Sequence, residues 1–498
     1  MSTESQRGSV RYETVDGAYL EQRQLRRSAG WFLLWGLGVG AVISGDFFGW
    51  NFGLSAGGFV GLAIATFLMA TMYVCMVYSI AELSTALPHA GGFYSFTRHA
   101  FGPWGGYIVG VTDTIEYVLT PAVVVVGIGG YMQSLVPSIP VYIWWLVAYT
   151  IFVGINIRGI EITLKVGLAV TLLAAAVLVI FFVAALATGA FRWELLYNIP
   201  PDPGQPQWLP KGWYGVFAAV PFAIWFYLAI EQLPLAAEET VDVVRDMPKA
   251  LILGIFTLLA LSLFTLVLNA GVNGGAAAIG ESAAPLADGF IAVFGAGATT
   301  TVLTLVALTG LIASFHTIIY AYGRVLFALS RAGYYPRWIS ITGVRTRTPH
   351  WALVVGAVVG LVAAFAIDRF GSGIVGAALL NMAVFGAVIS YAAVMLSYIK
   401  LRRDRPTMPR PYRSPLGVPG ALVGTILALF ALAATFAVED YRPGVAGVAI
   451  FLLIALVYFA LYSSKRLVAQ APEEEVALVA EAERELAHYA KDPGTTGA

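Results

Sequence analysis

Four carboxylates stand inside long apolar stretches of this sequence: Asp46, Asp113, Glu116 and Glu231. A carboxylate at membrane depth costs about 2.5 to 3.5 kcal/mol on insertion scales, so it needs a charge partner, a proton or a wet cavity. No Lys or Arg falls at the same depth, since Lys165 and Arg324 lie toward the ends of their stretches. Two chemistries remain: binding of a cation and uptake of a proton. Asp113 and Glu116 are three residues apart and share one face of a helix, about 13 and 18 Å in from Trp104, near the middle of a roughly 30 Å hydrocarbon core. Asp113 reads equally as a site residue and as a polar contact to another helix, whereas Glu116 reads as facing a cation.

The elements that carry these groups are poorly made for plain helices. Asp46 lies in the run GLGVGAVISGDFFGWNFG, residues 36–53, where six glycines weaken a helix. A broken helix is tolerated in a membrane only where its backbone is buried in protein or lines a cavity. Ser44, Gly45 and Asp46 are therefore expected to form an unwound hinge facing a substrate, the alternative being a tightly packed glycine-rich helix. Residues 212–234 repeat the pattern, with Pro221, Pro234 and the acid Glu231 in one apolar run. Aromatic side chains supply the other half of an amine site through cation–π contact, and Phe47, Phe48, Tyr117 and Phe315 are candidates for a partial cage. His316 is a candidate for a hydroxyl contact or proton exchange, set against a satisfied core histidine.

Composition fixes the class. With 59% hydrophobic and 12% charged residues in 498, the chain is an all-α polytopic membrane protein. A formal net charge of zero gives no reason to expect nucleic acid, and the single Cys75 excludes an internal disulfide. Twelve segments are long and apolar enough to span, numbered here 1 to 12: 31–54, 58–86, 102–134, 139–157, 160–188, 212–235, 248–270, 298–329, 351–367, 373–399, 417–438 and 444–462. The interrupted segments 1 and 6 are five apart, which suits an inverted repeat of segments 1 to 5 and 6 to 10. Arg98, Arg158, Arg245, Arg331 and the basic cluster at 400–413 fall on loops of one side, while Arg192, Lys211, Arg369 and Arg442 are alone on the other. Both termini are thus expected in the cytoplasm, with no cleavable signal peptide. Residues 191–211 are expected to form an ordered outer cap and 271–289 a flexible outer loop, and the acidic tail after Pro472 reads as a solvated helix. No HExxH, GxSxG or Walker-type motif occurs and the five histidines are scattered, so neither an enzyme nor a metal or cofactor site is expected.

The order SGDFFG in segment 1, PHAGGFYSFTRHAFGPWGGY before and into segment 3, IEY within it, AAEETVDVVRDMPKA after segment 6, GRVLFALSRAGYYP after segment 8 and MPRPYRSPLGVPG before segment 11 resembles the amino acid, polyamine and organocation permeases. The ISGDF run continuing as GWNFGL is most similar to bacterial ethanolamine permeases, and the likeness covers about 24–462. It implies a LeuT-type fold, with a tail at 1–27, a ten-helix inverted-repeat core at 28–400 with helices 1 and 6 broken, a loop at 401–416, two peripheral helices at 417–462 and a tail at 463–498. It implies import of a small organic amine, ethanolamine first, across the cytoplasmic membrane by alternating access. An amino-acid, choline or polyamine permease or exchanger is the alternative. The substrate contacts implied are Ser44, Gly45, Asp46, Phe47, Asp113, Glu116, Phe315 and Trp225, the last matching an aromatic gate six residues before Glu231. Glu231 resembles a gating or proton-handling acid, with a helix brace as its alternative, and His316 joins it as a coupling candidate. Ala174 falls where many such permeases carry a lysine, so coupling stays open between exchange, facilitated diffusion, Na+ near Ser314 and Thr317, and H+ at Glu231.

Overall fold

In hydrocarbon every backbone N–H and C=O must find a partner within the protein, and an uninterrupted apolar run meets that demand as a helix. The computed structural model describes residues 5–7, 9–272, 274–282, 284–295, 300–370, 374–437 and 439–474. Among these, 10 helices are long and apolar enough to cross a bilayer, and shorter apolar helices lie at Trp31–Phe47, Gly212–Ile224 and Pro285–Phe294. The chain is a polytopic helical membrane protein.

Segment 8 is the centre of the bundle. Within Leu308–Arg331, 94% of its apolar 18-residue window is buried, against 28% for Val141–Arg158, 33% for His350–Arg369 and Gly417–Phe436 and 22% for Arg442–Lys465, so segments 4, 9, 11 and 12 are the more exposed ones. Segment 8 packs on segments 1, 3 and 5, segment 10 on segment 3, and segment 2 on segment 6. Small residues allow that last approach: a Cβ on Gly57 would come within 2.6 Å of the Gly215 carbonyl oxygen. Segment 2 is entered through a kink at Gly58 (φ +71°), and segment 3 through one at Gly102 (φ +77°), where only glycine sits without strain.

Residues 191–211, expected as a cap, contribute the short helical turn Trp193–Tyr197. The stretch 271–289, expected as a flexible loop, instead holds the helix Gly275–Glu281 and the start of Pro285–Phe294. It is fastened by Asn198, whose side chain accepts from the Ala277 N–H (2.9 Å), and by Asn51, which donates to the Ile279 and Ser282 carbonyls (both 2.8 Å). These side-chain bonds between distant segments leave no periodic trace in sequence.

The first and last described stretches meet. Ser5–Arg7 pairs antiparallel with Val10–Glu13, and Val10–Glu13 pairs parallel with Leu467–Val468. Beyond this sheet Glu474 joins Arg98, Tyr12 and Tyr334, and Glu473 joins Arg331, which also holds Glu238. Glu473 and Glu474 are fully buried, which corrects the solvated reading for the first residues of the acidic tail, because arginines wait for them. The rest of that stretch lies outside the described residues.

Burial pushes the Glu473 carboxyl up to about 7, against the pull of Arg331. A docked tail therefore holds a proton that a released tail gives up at its ordinary value near 4.5. Docking is strongest below that value and weakens as pH rises toward about 7, levelling off above it. Spin labels at Arg11 and Lys465 are expected to report a rising released fraction between pH 5 and 8, and Glu473→Gln to flatten the dependence. A distance distribution unchanged over that range in the unsubstituted protein would refute this assignment to Glu473.

Candidate functional site

Segments 1 and 6 cross at their interruptions. In segment 1 the helix Trp31–Val42 is followed by a short turn, Ser44–Phe47, and the chain then unwinds over 48–51, with Phe48 extended (φ −163°, ψ 168°) and Gly49 at φ +93°. The unwound stretch thus begins two residues beyond the expected hinge, since Ser44, Gly45 and Asp46 keep helical geometry. Gly49 supplies the reversal, a conformation that residues with a Cβ adopt only at a cost. In segment 6 the helix Gly212–Ile224 ends at Trp225, and Ala229 (φ +84°) opens the 3-10 run Ile230–Glu239. Gly45 lies directly on the Trp225 carbonyl, and the Trp225 ring covers Gly49 (3.5 Å from where its Cβ would stand) and meets the Phe48 ring at 6.2 Å.

Further hydrogen bonds hold the crossing. The Gln232 amide donates to the Leu37 carbonyl (3.1 Å), and the Ser44 N–H donates to Ser314 Oγ (3.1 Å), which donates to the Gly40 carbonyl (3.0 Å). The N–H groups of Ser28 and Ala29 share the Glu239 carbonyl (2.8 and 2.9 Å), which ties the start of segment 1 to the stretch that follows segment 6. Glu239 itself forms a fully buried ion pair with Arg324 of segment 8 (2.8 Å).

Two acidic centres are buried here. The first is Asp46, 0% exposed, with neither oxygen hydrogen-bonded to the protein. It faces Thr265, at the start of the π-turn Thr265–Asn269 that ends segment 7, and Tyr227 of segment 6. The Thr265 hydroxyl points toward the carboxylate without reaching hydrogen-bond geometry and has no other partner. The second centre joins Asp113, Glu116 and Glu231, each about 1% exposed. Asp113 accepts from Ser390 of segment 10 (2.6 Å), Glu231 accepts from the Ala229 N–H (3.0 Å) and from Tyr391, and neither Glu116 oxygen receives a protein hydrogen bond. Tyr227 bridges the two centres, its ring 5.4 Å from that of Tyr73, whose hydroxyl donates to Tyr391 (3.0 Å).

Other expected site residues are placed elsewhere. Phe47 packs on Gly310 of segment 8 and within a side cluster with Phe181 and Phe290, so Phe48 is the aromatic neighbour of Trp225. Phe315 meets Tyr149 (4.9 Å) and Phe152 (5.8 Å) of segment 4, away from the crossing. His316 is a satisfied brace: its Nε2 donates to the Thr163 carbonyl (2.8 Å), with Asn156 beside its Nδ1. Ser314 is engaged as above, and Thr317 Oγ1 donates to the Ala313 carbonyl of its own helix (2.8 Å). Among the described residues no group of three His, Cys, Asp or Glu side chains is arranged to hold a metal ion. Thr265, Tyr73, Tyr227, Ser390 and Tyr391 were not anticipated. The available signal was a tyrosine deep in an apolar run, whose hydroxyl must find a partner.

Comparison with known proteins agrees with a transporter. A family model described as amino acid permease matches residues 30–462. An uncharacterized transporter of Rhizobium meliloti (strain 1021) is 26% identical over 88% of this chain and 92% of its own length. The branched-chain amino acid permease BcaP of Bacillus subtilis (strain 168) is 26% identical over 89% of this chain and 94% of its own. The methylthioribose transporter of the same organism is 25% identical over 90% and 96%.

Proposed function

The chain belongs to the amino acid permease family, and from that premise we propose that this membrane transporter, which is not an enzyme, imports a small organic ammonium compound, ethanolamine first, by alternating access. The framework proposed is the LeuT-type one: twelve spans, an inverted repeat of segments 1 to 5 and 6 to 10, segments 11 and 12 peripheral, and both termini on the cytoplasmic side of the cell membrane. The interruption of segments 1 and 6 at a common crossing supports it.

One observation carries the substrate class: a carboxylate with no protein hydrogen-bond partner, Asp46, at the crossing where broken-helix transporters of amino acids receive the substrate's own carboxylate. A buried charge needs a counter-charge. An ammonium group supplies it and brings three N–H donors, enough for Asp46, the Thr265 hydroxyl and a free carbonyl of the break. Choline's trimethylammonium brings no donors. Serine brings a second carboxylate, repelled at short range. Ser44 and Gly45 hold the backbone of this site, and Trp225 with Phe48 covers it from the side. The name of the branched-chain amino acid permease favours the second reading, an amino-acid substrate, and the same measurement separates the two.

In isothermal titration of the purified protein, ethanolamine is expected to bind more tightly than serine or choline. Asp46→Asn is expected to weaken ethanolamine by at least about 30-fold, equivalent to about 2 kcal/mol for losing one partner of a buried charge pair, and to narrow the gap to serine. Equal affinity of the unsubstituted protein for serine and ethanolamine, or unaltered selectivity in the Asn variant, would demote Asp46 to a structural polar residue.

A further inference from the structure

A cavity of about 600 Å³ lies among segments 3, 8, 9, 10 and 12, and no residue of segments 1 or 6 lines it. Segment 12 is pinned at one end, where the Phe459 ring stacks on Tyr107 of segment 3 (4.6 Å) and on Tyr334 (5.7 Å). One turn further into the membrane Ala455 faces Gly356 of segment 9 across the cavity, and two such small residues leave the space between the segments unfilled. The walls are apolar side chains such as Val118, Val355 and Met382. Val359, Phe451 and Ile454 stand exposed at the rim, so the cavity opens sideways toward the bilayer between segments 9 and 12. Its volume is that of a ligand pocket, and an apolar space of this kind does not hold water.

Toward the chain termini the cavity runs into a charged cleft of about 300 Å³. Tyr335 lines both, and Tyr458 of the cavity lies one turn from Tyr462 of the cleft, their rings 5.4 Å apart. The charged side chains of the cleft are Glu13, Arg337 and Arg466. Glu13 is engaged by Arg337 (2.8 Å), which also donates to the Arg466 carbonyl (2.8 Å). The Arg466 guanidinium is exposed, lies over the Tyr462 ring at 4.5 Å and donates to its hydroxyl (2.8 Å), and among the described residues no carboxylate pairs with it. Trp338, 48% exposed, borders the cleft, and tryptophan and tyrosine are the side chains that sit at headgroup level.

We propose that cavity and cleft together bind one anionic glycerophospholipid of the surrounding bilayer, with an acyl chain in the cavity and its phosphate at Arg466. A guanidinium presents paired N–H donors that match phosphate oxygens, and Arg466 is the cation left uncompensated at the mouth. A soluble anion would fill the cleft and leave the cavity empty, whereas a phospholipid fills both. The Tyr335 hydroxyl bonds Thr114 (3.1 Å), the residue after Asp113, so the chain packs against the stretch of segment 3 that carries Asp113 and Glu116. The site is separate from the crossing and stands whichever substrate the crossing takes.

The test is native mass spectrometry of the full-length protein, stripped of lipid in detergent and titrated with dioleoyl phosphatidylglycerol or dioleoyl phosphatidylcholine. One phosphatidylglycerol is expected to bind at least about fivefold more tightly than phosphatidylcholine, the worth of about one basic side chain at a lipid surface. Arg466→Gln keeps the backbone carbonyl that Arg337 uses and is expected to erase that preference without loss of phosphatidylcholine binding. Ala455→Trp fills the cavity and is expected to abolish the saturable binding of both lipids. Should that variant fail to fold, phosphatidylglycerol with a diazirine in one chain is expected to label residues 451–458 of the unsubstituted protein more densely than Leu173, Val179 and Ile180, which segment 5 exposes. Glycerol 3-phosphate, which has the phosphate and no chains, is expected not to compete. Equal affinity for the two lipids, a preference that survives Arg466→Gln, or labelling no denser at the cavity than on segment 5 overturns the proposal. Competition by glycerol 3-phosphate also overturns it and assigns the cleft to a soluble phosphate compound.

Discussion

Gly45→Ala is expected to abolish transport while the protein still inserts and folds in part. A Cβ at this position would clash with the carbonyl oxygen of Trp225, and backbone, unlike the end of a flexible side chain, cannot easily give way. The two broken segments would have to part at the point where they cross, which displaces Trp225 from Gly49 and the Asp46 carboxylate from Thr265. Overpacking of this kind typically costs about 1 to 3 kcal/mol in stability. The functional loss is larger because an error of about 1 Å in a preorganised site removes most of its advantage. Uptake of radiolabelled ethanolamine by proteoliposomes is the measurement, with yield after size-exclusion chromatography as the control for folding. Transport near the unsubstituted level would mean that the crossing is looser than it stands here.

Glu239→Gln is expected to cost the folded protein itself. Arg324 and Glu239 are both 0% exposed, with two hydrogen bonds between them (2.8 and 3.1 Å) and the Tyr320 hydroxyl also donating to the carboxylate. The Arg324 guanidinium lies over the Tyr320 ring at 3.8 Å, and its Nη1 already has no partner. Removing the one counter-charge leaves a buried cation, a loss of about 3 to 5 kcal/mol, which is a large part of the stability of an ordinary domain. A lower melting temperature in detergent and a collapse of monodisperse yield would report it. The double substitution Glu239→Gln with Arg324→Met removes both charges and is expected to recover most of the loss. If the single and double variants melt together at the original temperature, the pair is not a mainstay of the fold.

How much of this was legible beforehand depends on whether the feature is local. The helical class and the two interruptions follow from composition and from glycine, proline and acid within apolar runs. The exact place of the first break does not, because Gly45 and Gly49 look alike in sequence and only one of them takes a positive φ. Phase around a helix was the larger difficulty. Ser314, Phe315 and His316 are consecutive, yet about 100° of rotation per residue sends the first to segment 1, the second to segment 4 and the third between segments 4 and 5. Glu116 and Glu231 were each singled out for their charge, but their place in one buried centre belongs to the packing of segment 3 on the end of segment 6 and has no signature in either segment. Tyr73 and Tyr391 carry no distinguishing signal in an aromatic-rich membrane sequence. The burial of Glu473 and Glu474 is not legible because a polar composition says nothing of the arginines that a folded chain brings to it.

The sheet that joins the first residues to the last has a consequence for biosynthesis. Val10–Glu13 is among the first stretches made, and its partner Leu467–Val468 leaves the ribosome only after every apolar segment has been inserted. Until then Arg98 and Arg331 lack Glu474 and Glu473, the acids that neutralise them here. A nascent or truncated chain can therefore hold all of its membrane helices while Arg98 lacks its carboxylate and Arg331 keeps only Glu238.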